Sequence, residues 1–507
     1  MSAESWQSFR RIIQVLSLGF FLYLSIQSIY AIRFGIENVF FRLNPLTGFM
    51  VMLAGRVWIP AFAIGGITLI LTLLFGRVWC GWICPLGTLV QILGPKNRKP
   101  FTVSESWRSV KYILLCVTIF AGLFGSISLI LFDPIANLNR TLSAAVWPAI
   151  RAAVLQTENF FYQFEILWGV LDWFHQAVSY PLLLDIQPVF INALAITLLF
   201  LFLVGLNWLA VRFWCRYLCP SGALLGLISR FSLTRRVVNN SCSGCGICNY
   251  ECPTGTINPQ KSYQSDPAEC LVCHNCMVNC YRNSASFVWQ IPIYKAAARQ
   301  EYDPGRRAIL ASFAAAAGAA ALANIEPVVK GSHPNLIYPP GAALPEFYSL
   351  CIRCSECIRV CPTQGLQLTF FETGWQNLFT PRLVPRLGYC MLNCKACVDA
   401  CPTGALIPMD LEQKQSYRIG LASIDKNRCL PWAYATPCIV CEEVCPMADK
   451  AIGLQVVHMQ DESGNSISIQ QPYIKGEFCT GCGICEFKCP VSGEAAIRVF
   501  PPSDLVS

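Results

Sequence analysis

Cys242-Ser-Gly-Cys245-Gly-Ile-Cys248-Asn-Tyr-Glu-Cys252-Pro253 is the stretch that decides the fold. It spells C-x2-C-x2-C-x3-C-P, and Cys270, Cys273, Cys276 and Cys280 repeat the spacing without the proline. In bacterial proteins with two [4Fe–4S] clusters this spacing places three thiolates on one cluster, while the fourth Cys of each run ligates the other. One expected set is therefore Cys242, Cys245, Cys248 and Cys280. The other is Cys270, Cys273, Cys276 and Cys252. Three thiolates on a tight loop cap one face of an iron–sulfur cube, and a distant fourth closes it. Gly244 and Gly246 suit the turns. Zinc sites show paired C-x2-C instead. Cys270-Leu-Val-Cys273-His274 also spells a haem-attachment C-x-x-C-H, but both cysteines are already engaged, and His274 is left beside the cluster or at the surface.

Working outward, the last third carries four further runs. They are Cys351, Cys354, Cys357 and Cys361; Cys390, Cys394, Cys397 and Cys401; Cys429, Cys438, Cys441 and Cys445; and Cys479, Cys482, Cys485 and Cys489. Each ends in Cys-Pro, and the second and third carry insertions after their first Cys. Of the chain's 29 cysteines, 24 lie beyond residue 232, enough for six four-thiolate sites. Pairing the last four runs as neighbours or as a nest closes equally well on spacing. A disulfide framework does not account for the triplets.

The whole chain has 507 residues, of which 54% are hydrophobic and only 13% charged. That is about half the charged share of a soluble domain, which argues against a wholly soluble or disordered protein. The formal charge of +8 has no long basic run behind it, so no nucleic-acid partner is expected. Six cluster-bearing sites at roughly −2 each would bring the assembled protein near −4. Apolar runs at Ile12–Ile32, Val57–Trp79, Tyr112–Phe132 and Val189–Phe213 are long enough to span a bilayer. Lys96, Arg98, Lys99, Arg108 and Lys111, with Arg212, Arg216, Arg230, Arg235 and Arg236, place the loop after span two and the end of span four inside. The loop 133–188 is then outside, and its aromatic run (Phe160, Phe161, Tyr162, Phe164, Trp168, Trp173, Phe174) suits an interfacial helix.

This part of the chain repeats itself. Arg77-Val-Trp-Cys80-Gly-Trp-Ile-Cys84-Pro85-Leu-Gly87 matches Arg212-Phe-Trp-Cys215-Arg-Tyr-Leu-Cys219-Pro220-Ser-Gly222. Two helical hairpins, each ending in C-x3-C-P, follow from the match. Cys four apart share a helical face, and each proline ends a span. The four thiols are candidates for a metal or Fe–S centre, for a redox-active dithiol pair, or for small apolar side chains in a bend. Cys116 has no partner in the pattern. Further on, Arg306-Arg307 precedes the mildly apolar Ala308–Ile325, like a twin-arginine export signal ahead of a fifth span.

Residues 1–300 resemble the NapH family, membrane quinol-dehydrogenase subunits of periplasmic nitrate reductase systems. The likeness lies in four spans, two C-x3-C-P motifs and a two-cluster ferredoxin domain. Residues 301–507 resemble the NapG and MauM ferredoxin-type families. The resemblance implies that Cys80, Cys84, Cys215 and Cys219 are functional, and Asp133-Pro134 looks family-like. The architecture expected is an α-helical membrane domain of two repeated hairpins (1–232), a cytoplasmic α+β ferredoxin-like domain with two clusters (233–300), a fifth span (301–327) and a periplasmic four-cluster domain (328–507). The chain would sit in the cell inner membrane as a multi-pass protein. It would take electrons from the quinone pool and pass them through six [4Fe–4S] clusters to a periplasmic c-type cytochrome or reductase, alongside other membrane-complex subunits. Asp133 and His175 are candidate proton acceptors for quinol. Two alternatives are an electron-supplying maturation factor for a periplasmic metalloenzyme and a non-catalytic conduit subunit of a larger membrane complex.

Overall fold

The computed structural model describes residues 3–27, 36–95, 105–179, 190–290, 314, 318, 336–342, 346–371, 374, 377–460 and 466–501. The chain forms two compact units. The first contains Met1–Thr141, Ala195–Ala323 and Ser349–Cys354; the second contains Leu142–Leu194, Asn324–Tyr348 and Ser355–Ser507.

In the first unit, two kinds of helix alternate. One kind comprises α1 (Ala3–Gln27), α3 (Gly65–Phe75), α5 (Ser109–Leu123) and α7 (Ala193–Gly205). Between and after them come α2 (Pro45–Gly55), α4 (Pro85–Ile92), α6 (Pro134–Thr141) and α8 (Pro220–Ser229). Each of the second kind opens on proline, preceded in turn by Asn44, Cys84, Asp133 and Cys219. Proline at the first helical position has its φ preset and loses no hydrogen bond. The residue before it is pushed into extended backbone, so each of these helices starts abruptly after a turn.

Among the described residues only Ala3–Gln27 is long and apolar enough to cross a bilayer alone, and the other apolar helices have 10–17 residues. Backbone breaks account for the difference from hydropathy. The run at Val57–Trp79 becomes a 3-10 turn, Pro60–Ile64, and then α3, which stops at Gly76 with φ 79°. The run at Tyr112–Phe132 ends as α5 at Leu123, two residues before the left-handed Gly125, and resumes as a 3-10 turn at Ser128–Phe132. The fourth run is α7 followed by a 3-10 turn at Leu206–Trp208. Arg306, Arg307 and nearly all of Ala308–Ile325 lie outside the described residues.

The ferredoxin-like part of this unit is a small α+β fold. Strand β1 (Thr234–Val238) pairs antiparallel with β4 (Ala285–Trp289), and β2 (Ile257–Asn258) with β3 (Gln264–Ser265). The second unit repeats the theme. Strand β5 (Leu366–Leu368) pairs with β6 (Pro381–Leu383), β7 (Leu421–Ile424) with β10 (Ile497–Phe500), and β8 (Ile452–Gln460) with β9 (Ser466–Ile474). This unit also holds the helices Trp147–Phe161 and Trp168–Phe174. Phe160, Phe161, Phe164, Trp168 and Trp173 stand exposed there.

Candidate functional site

The Cys runs share a backbone device. In the four regular runs the second and fourth residues after the first Cys are left-handed: Gly244 and Gly246, Val272 and His274, Arg353 and Ser355, Gly481 and Gly483. Such residues turn the chain tightly enough for successive N–H groups to face one point, where an anionic cluster is stabilised. Glycine adopts this backbone freely, whereas a β-branched residue such as Val272, at φ 49°, is strained there.

Clefts lined by the runs, open in part to solvent, sort the cysteines. One of about 390 Å³ is lined by Cys242, Cys245, Cys248 and Cys280. One of about 410 Å³ is lined by Cys390, Cys394, Cys397 and Cys361, and one of about 380 Å³ by Cys429, Cys438, Cys441 and Cys489. The first of the last four runs thus lends its fourth Cys to the second, and the fourth run lends its fourth Cys to the third. Cys270 lies within electrostatic range of Cys273, Cys276 and Cys252, and Cys482 within range of Cys479 and Cys445. The backbone N–H of Cys390 donates to the carbonyl of Cys482 at 2.8 Å, joining the two pairs. Thiols this enclosed, with N–H donors such as Arg236 Nε on Cys276 at 3.2 Å and Ala422 N on Cys479 at 3.4 Å, fit iron–sulfur ligation. Burial pushes Cys276 up to about 12, against the pull of Arg236. A thiol held that high gives up its proton only when metal binds.

The two C-x3-C-P motifs fold alike. Trp79–Ile83 and Trp214–Leu218 are single π-helical turns, and Cys84 and Cys219 then cap α4 and α8. Gly87 N–H donates to Cys84 Sγ at 3.4 Å, and Gly222 N–H to Cys219 Sγ at 3.2 Å. The arginine that opens each motif reaches the other copy. Arg212 Nη1 donates to the Cys80 carbonyl at 3.2 Å, while a Cβ on Gly222 would stand 2.9 Å from Arg77 Nη2. Cys80, Cys84, Cys215 and Cys219, 135 residues apart as two pairs, come within electrostatic range of one another. All four are free thiols.

A buried ionic cluster ties these motifs to the Cys270 loop. Arg77 Nη1 donates to the Ala268 carbonyl at 3.0 Å and to Glu269 at 3.1 Å. Lys111 reaches both Glu269 oxygens, at 2.5 and 2.6 Å, and Tyr112 donates to the same carboxylate at 3.1 Å. Burial alone would raise the Glu269 carboxyl, but Arg77 and Lys111 prevail and hold it below the usual carboxylate range. Trp82 Nε1 donates to the carbonyl of the strained Val272 at 3.1 Å. His274 is buried rather than at the surface, stacked on Trp6 with ring centroids 5.6 Å apart. Burial, then the charge of Arg10, drops its pKa to about 4.

Beyond the far end of α5 the same unit holds another Cys loop. Arg353 donates to the Ile127 carbonyl at 3.0 Å and to Ser128 Oγ at 3.1 Å, and Asn139 Nδ2 donates to the Cys354 carbonyl at 2.7 Å. Asp133 is buried and fully engaged. It accepts from Asn44, from Thr47 at 3.2 Å, from Ser221 at 3.3 Å, and from the N–H groups of Ile135 and Ala136 at 3.0 and 2.9 Å. Hydropathy alone sets Asp133 and Ser221 at opposite ends of a bundle. The α6 and α8 helices bring them together because each starts within it. His175 belongs to the second unit, with Nδ1 3.3 Å from Glu158 Oε2. Cys116 is half-buried.

Glu269, Lys111, Asn44 and Arg353 carry no motif and were not legible as site residues. Arg77 and Arg212 were, since they sit at matched positions of the repeat.

Comparison with known proteins agrees with this picture. A family model described as "4Fe-4S binding domain" matches residues 57–102 and 192–239, the segments that carry the two C-x3-C-P motifs. One described as "4Fe-4S dicluster domain" matches residues 350–405. The methylamine utilization ferredoxin-type protein MauM of Methylorubrum extorquens is 39% identical over 210 residues, covering 39% of this chain and 90% of the relative. The ferredoxin-type protein NapG of Escherichia coli is 36% identical over 168 residues, covering 32% of this chain and 70% of the relative. No solved structure matches the chain.

Proposed function

Since this chain belongs to the MauM/NapG family of ferredoxin-type iron–sulfur electron-transfer proteins, we propose that it oxidises membrane quinol and delivers the electrons to an extracytoplasmic redox partner. Six [4Fe–4S] clusters, when bound, would supply one-electron stations. Their ligands are the 24 cysteines of the six runs, grouped as Cys242, Cys245, Cys248 and Cys280; Cys270, Cys273, Cys276 and Cys252; Cys390, Cys394, Cys397 and Cys361; Cys429, Cys438, Cys441 and Cys489; Cys479, Cys482, Cys485 and Cys445; and the four cysteines that remain. Quinol becomes quinone by losing two electrons and two protons. His175, backed by Glu158 and set among exposed aromatics, accepts protons, and Asp133 positions α6 and α8.

The alternating helices lie in the inner membrane. The α7 helix supports this, because it is apolar all round with only Ile196 buried. Leu194, Leu198, Leu201 and Phe202 are exposed on it, which suits lipid rather than water. The observation that carries the electron path is the placement of two Cys loops at the two ends of α5. Lys111, in its first turn, holds the Cys270 loop through Glu269; Ile127 and Ser128, just past its last turn, hold Arg353. Fifteen helical residues cover about 22 Å, so the two loops bind α5 near opposite ends.

Anaerobically purified full-length protein, mixed with a reduced short-chain quinol in detergent, should lose its iron–sulfur absorbance within the mixing experiment. Reduction that needs an added membrane subunit would make the chain a conduit. No reduction under any condition, together with a need for the protein only while a periplasmic enzyme matures, would make it an assembly factor.

A further inference from the structure

We propose that Arg236 sets the reduction potential of the cluster held by Cys270, Cys273, Cys276 and Cys252, raising it so that this drier cluster accepts the electron arriving from the helical bundle. The inference rests on reading those four thiols as a cluster site and goes beyond it by assigning the residue that tunes the cluster.

The sequence presents two adjacent arginines, Arg235 and Arg236, in β1. A strand's pleat sends neighbouring side chains to opposite faces, and here it separates the two charges. Arg235 turns back along the surface, with Nη2 donating to the Arg230 carbonyl at 2.9 Å. Arg236 is the one buried residue of the strand, 6% exposed. Its Nε donates to Cys276 Sγ at 3.2 Å and its Nη1 to the Tyr263 carbonyl at 2.6 Å. Among the described residues no carboxylate pairs with it. A buried cation is costly unless a negative charge meets it. The groups that supply one here are the sulfurs of Cys276, Cys248 and Cys270.

Position decides which cluster gains most. Arg236 also lines the cleft of Cys242, Cys245, Cys248 and Cys280, so the guanidinium stands between two cluster sites. The sites differ in their access to water. Cys245 is exposed and none of its three set-mates is buried, whereas Cys273 and Cys276 are buried. A [4Fe–4S] cluster on four thiolates goes from about −2 to about −3 when it takes up one electron. Water screens the added charge at the Cys242 set. At the Cys270 set a drier surrounding magnifies both the cost of that charge and the gain from a nearby cation. The guanidinium gives its direct hydrogen bond to a sulfur of this drier set. Net charge and hydrogen bonds to the sulfurs are levers on the potential, and Arg236 works through both. The Cys270 loop is also the one clamped to the bundle, through Glu269 and Val272. The electron originates in quinol and arrives singly, and no bond is made or broken in the protein.

The test is a potentiometric titration of full-length protein, purified anaerobically in detergent and followed by electron paramagnetic resonance of the reduced clusters, with iron counted in the same samples. In Arg236→Gln one component should fall in potential by roughly tenfold or more in its reduced-to-oxidised ratio, about 59 mV for one electron, and the others should move less. Arg235→Gln removes the same charge from the opposite face of β1 and should leave every component at its wild-type potential. Arg236→Lys keeps the charge and should recover most of the shift. Full iron in Arg236→Gln with no component lowered by that much overturns the proposal, and so do equal shifts in Arg235→Gln and Arg236→Gln. If Arg236→Gln loses iron, Arg236→Lys decides. Full iron and near-wild-type potentials there uphold the proposal. Iron lost there too, or a shift as large as roughly tenfold, overturns it, because the guanidinium would then be a structural brace. Wild-type iron far below about 24 atoms would instead count against the six-cluster reading, and the shift between variant and wild type still decides this one.

Discussion

Glu269 is the residue on which the most depends. It neutralises Arg77 and Lys111 in a dry site, and it precedes Cys270 directly. Removing its charge leaves two buried cations with no counter-ion. Glu269→Gln should therefore cost about 3–5 kcal/mol, read as a lowered unfolding temperature in detergent. A loss under about 1 kcal/mol would mean that the cluster is solvated. The pH dependence has a definite sign. Because the folded carboxyl is held below its usual range, its contribution is present above the unfolded value of about 4.3 and is lost as pH falls below it. Wild-type stability should drop on acidification through that range, and Glu269→Gln should drop less.

At the level of elements, the π-helical turn Trp79–Ile83 is clamped to the Cys270 loop. A Cβ on Gly81 would stand 2.4 Å from the Leu271 carbonyl oxygen. Helix propensity alone makes Gly→Ala favourable by roughly 1 kcal/mol. Here the obstacle is backbone, so the loop must shift, and Gly81→Ala should destabilise by about 1–3 kcal/mol. Quinol-linked cluster reduction should slow while iron content is unchanged. Gly66, in α3, has nothing within 4 Å of such a Cβ, and Gly66→Ala should be neutral or stabilising. Equal effects at the two positions would rule out the clamp. Strain is distributed with the same logic: the two regular Cys loops with side chains at left-handed positions, Val272/His274 and Arg353/Ser355, contain the residues that bond to the helical bundle.

For the molecule as a whole, the proposed topology separates residues 233–300 from residues 328–507 by a membrane. Reporter fusions after Ser286 and after Ser332 should give opposite signals, cytoplasmic and extracytoplasmic. Matching signals would place all six ferredoxin sets on one side, and the acceptor would then be sought there.

The Cys spacing determined by itself that the chain binds iron–sulfur clusters, because three thiolates on a tight loop are a local arrangement that sequence distance specifies. The 135-residue repeat likewise showed that the two C-x3-C-P motifs are equivalent and that Arg77 and Arg212 correspond. Only the tertiary structure decided how the last four runs pair. Spacing permits neighbours or a nest, and the cleft that joins Cys361 to Cys390, Cys394 and Cys397 selects neighbours. It alone revealed Glu269, whose role depends on partners 158 and 192 residues away. It also shortened the apolar runs. Hydropathy counts side chains, whereas helix length is set by the backbone, which breaks at Gly76 and Gly125 and starts afresh at four prolines. Those fresh starts place Cys84 and Cys219 at helix N-termini, within range of each other, an arrangement no count of apolar residues contains.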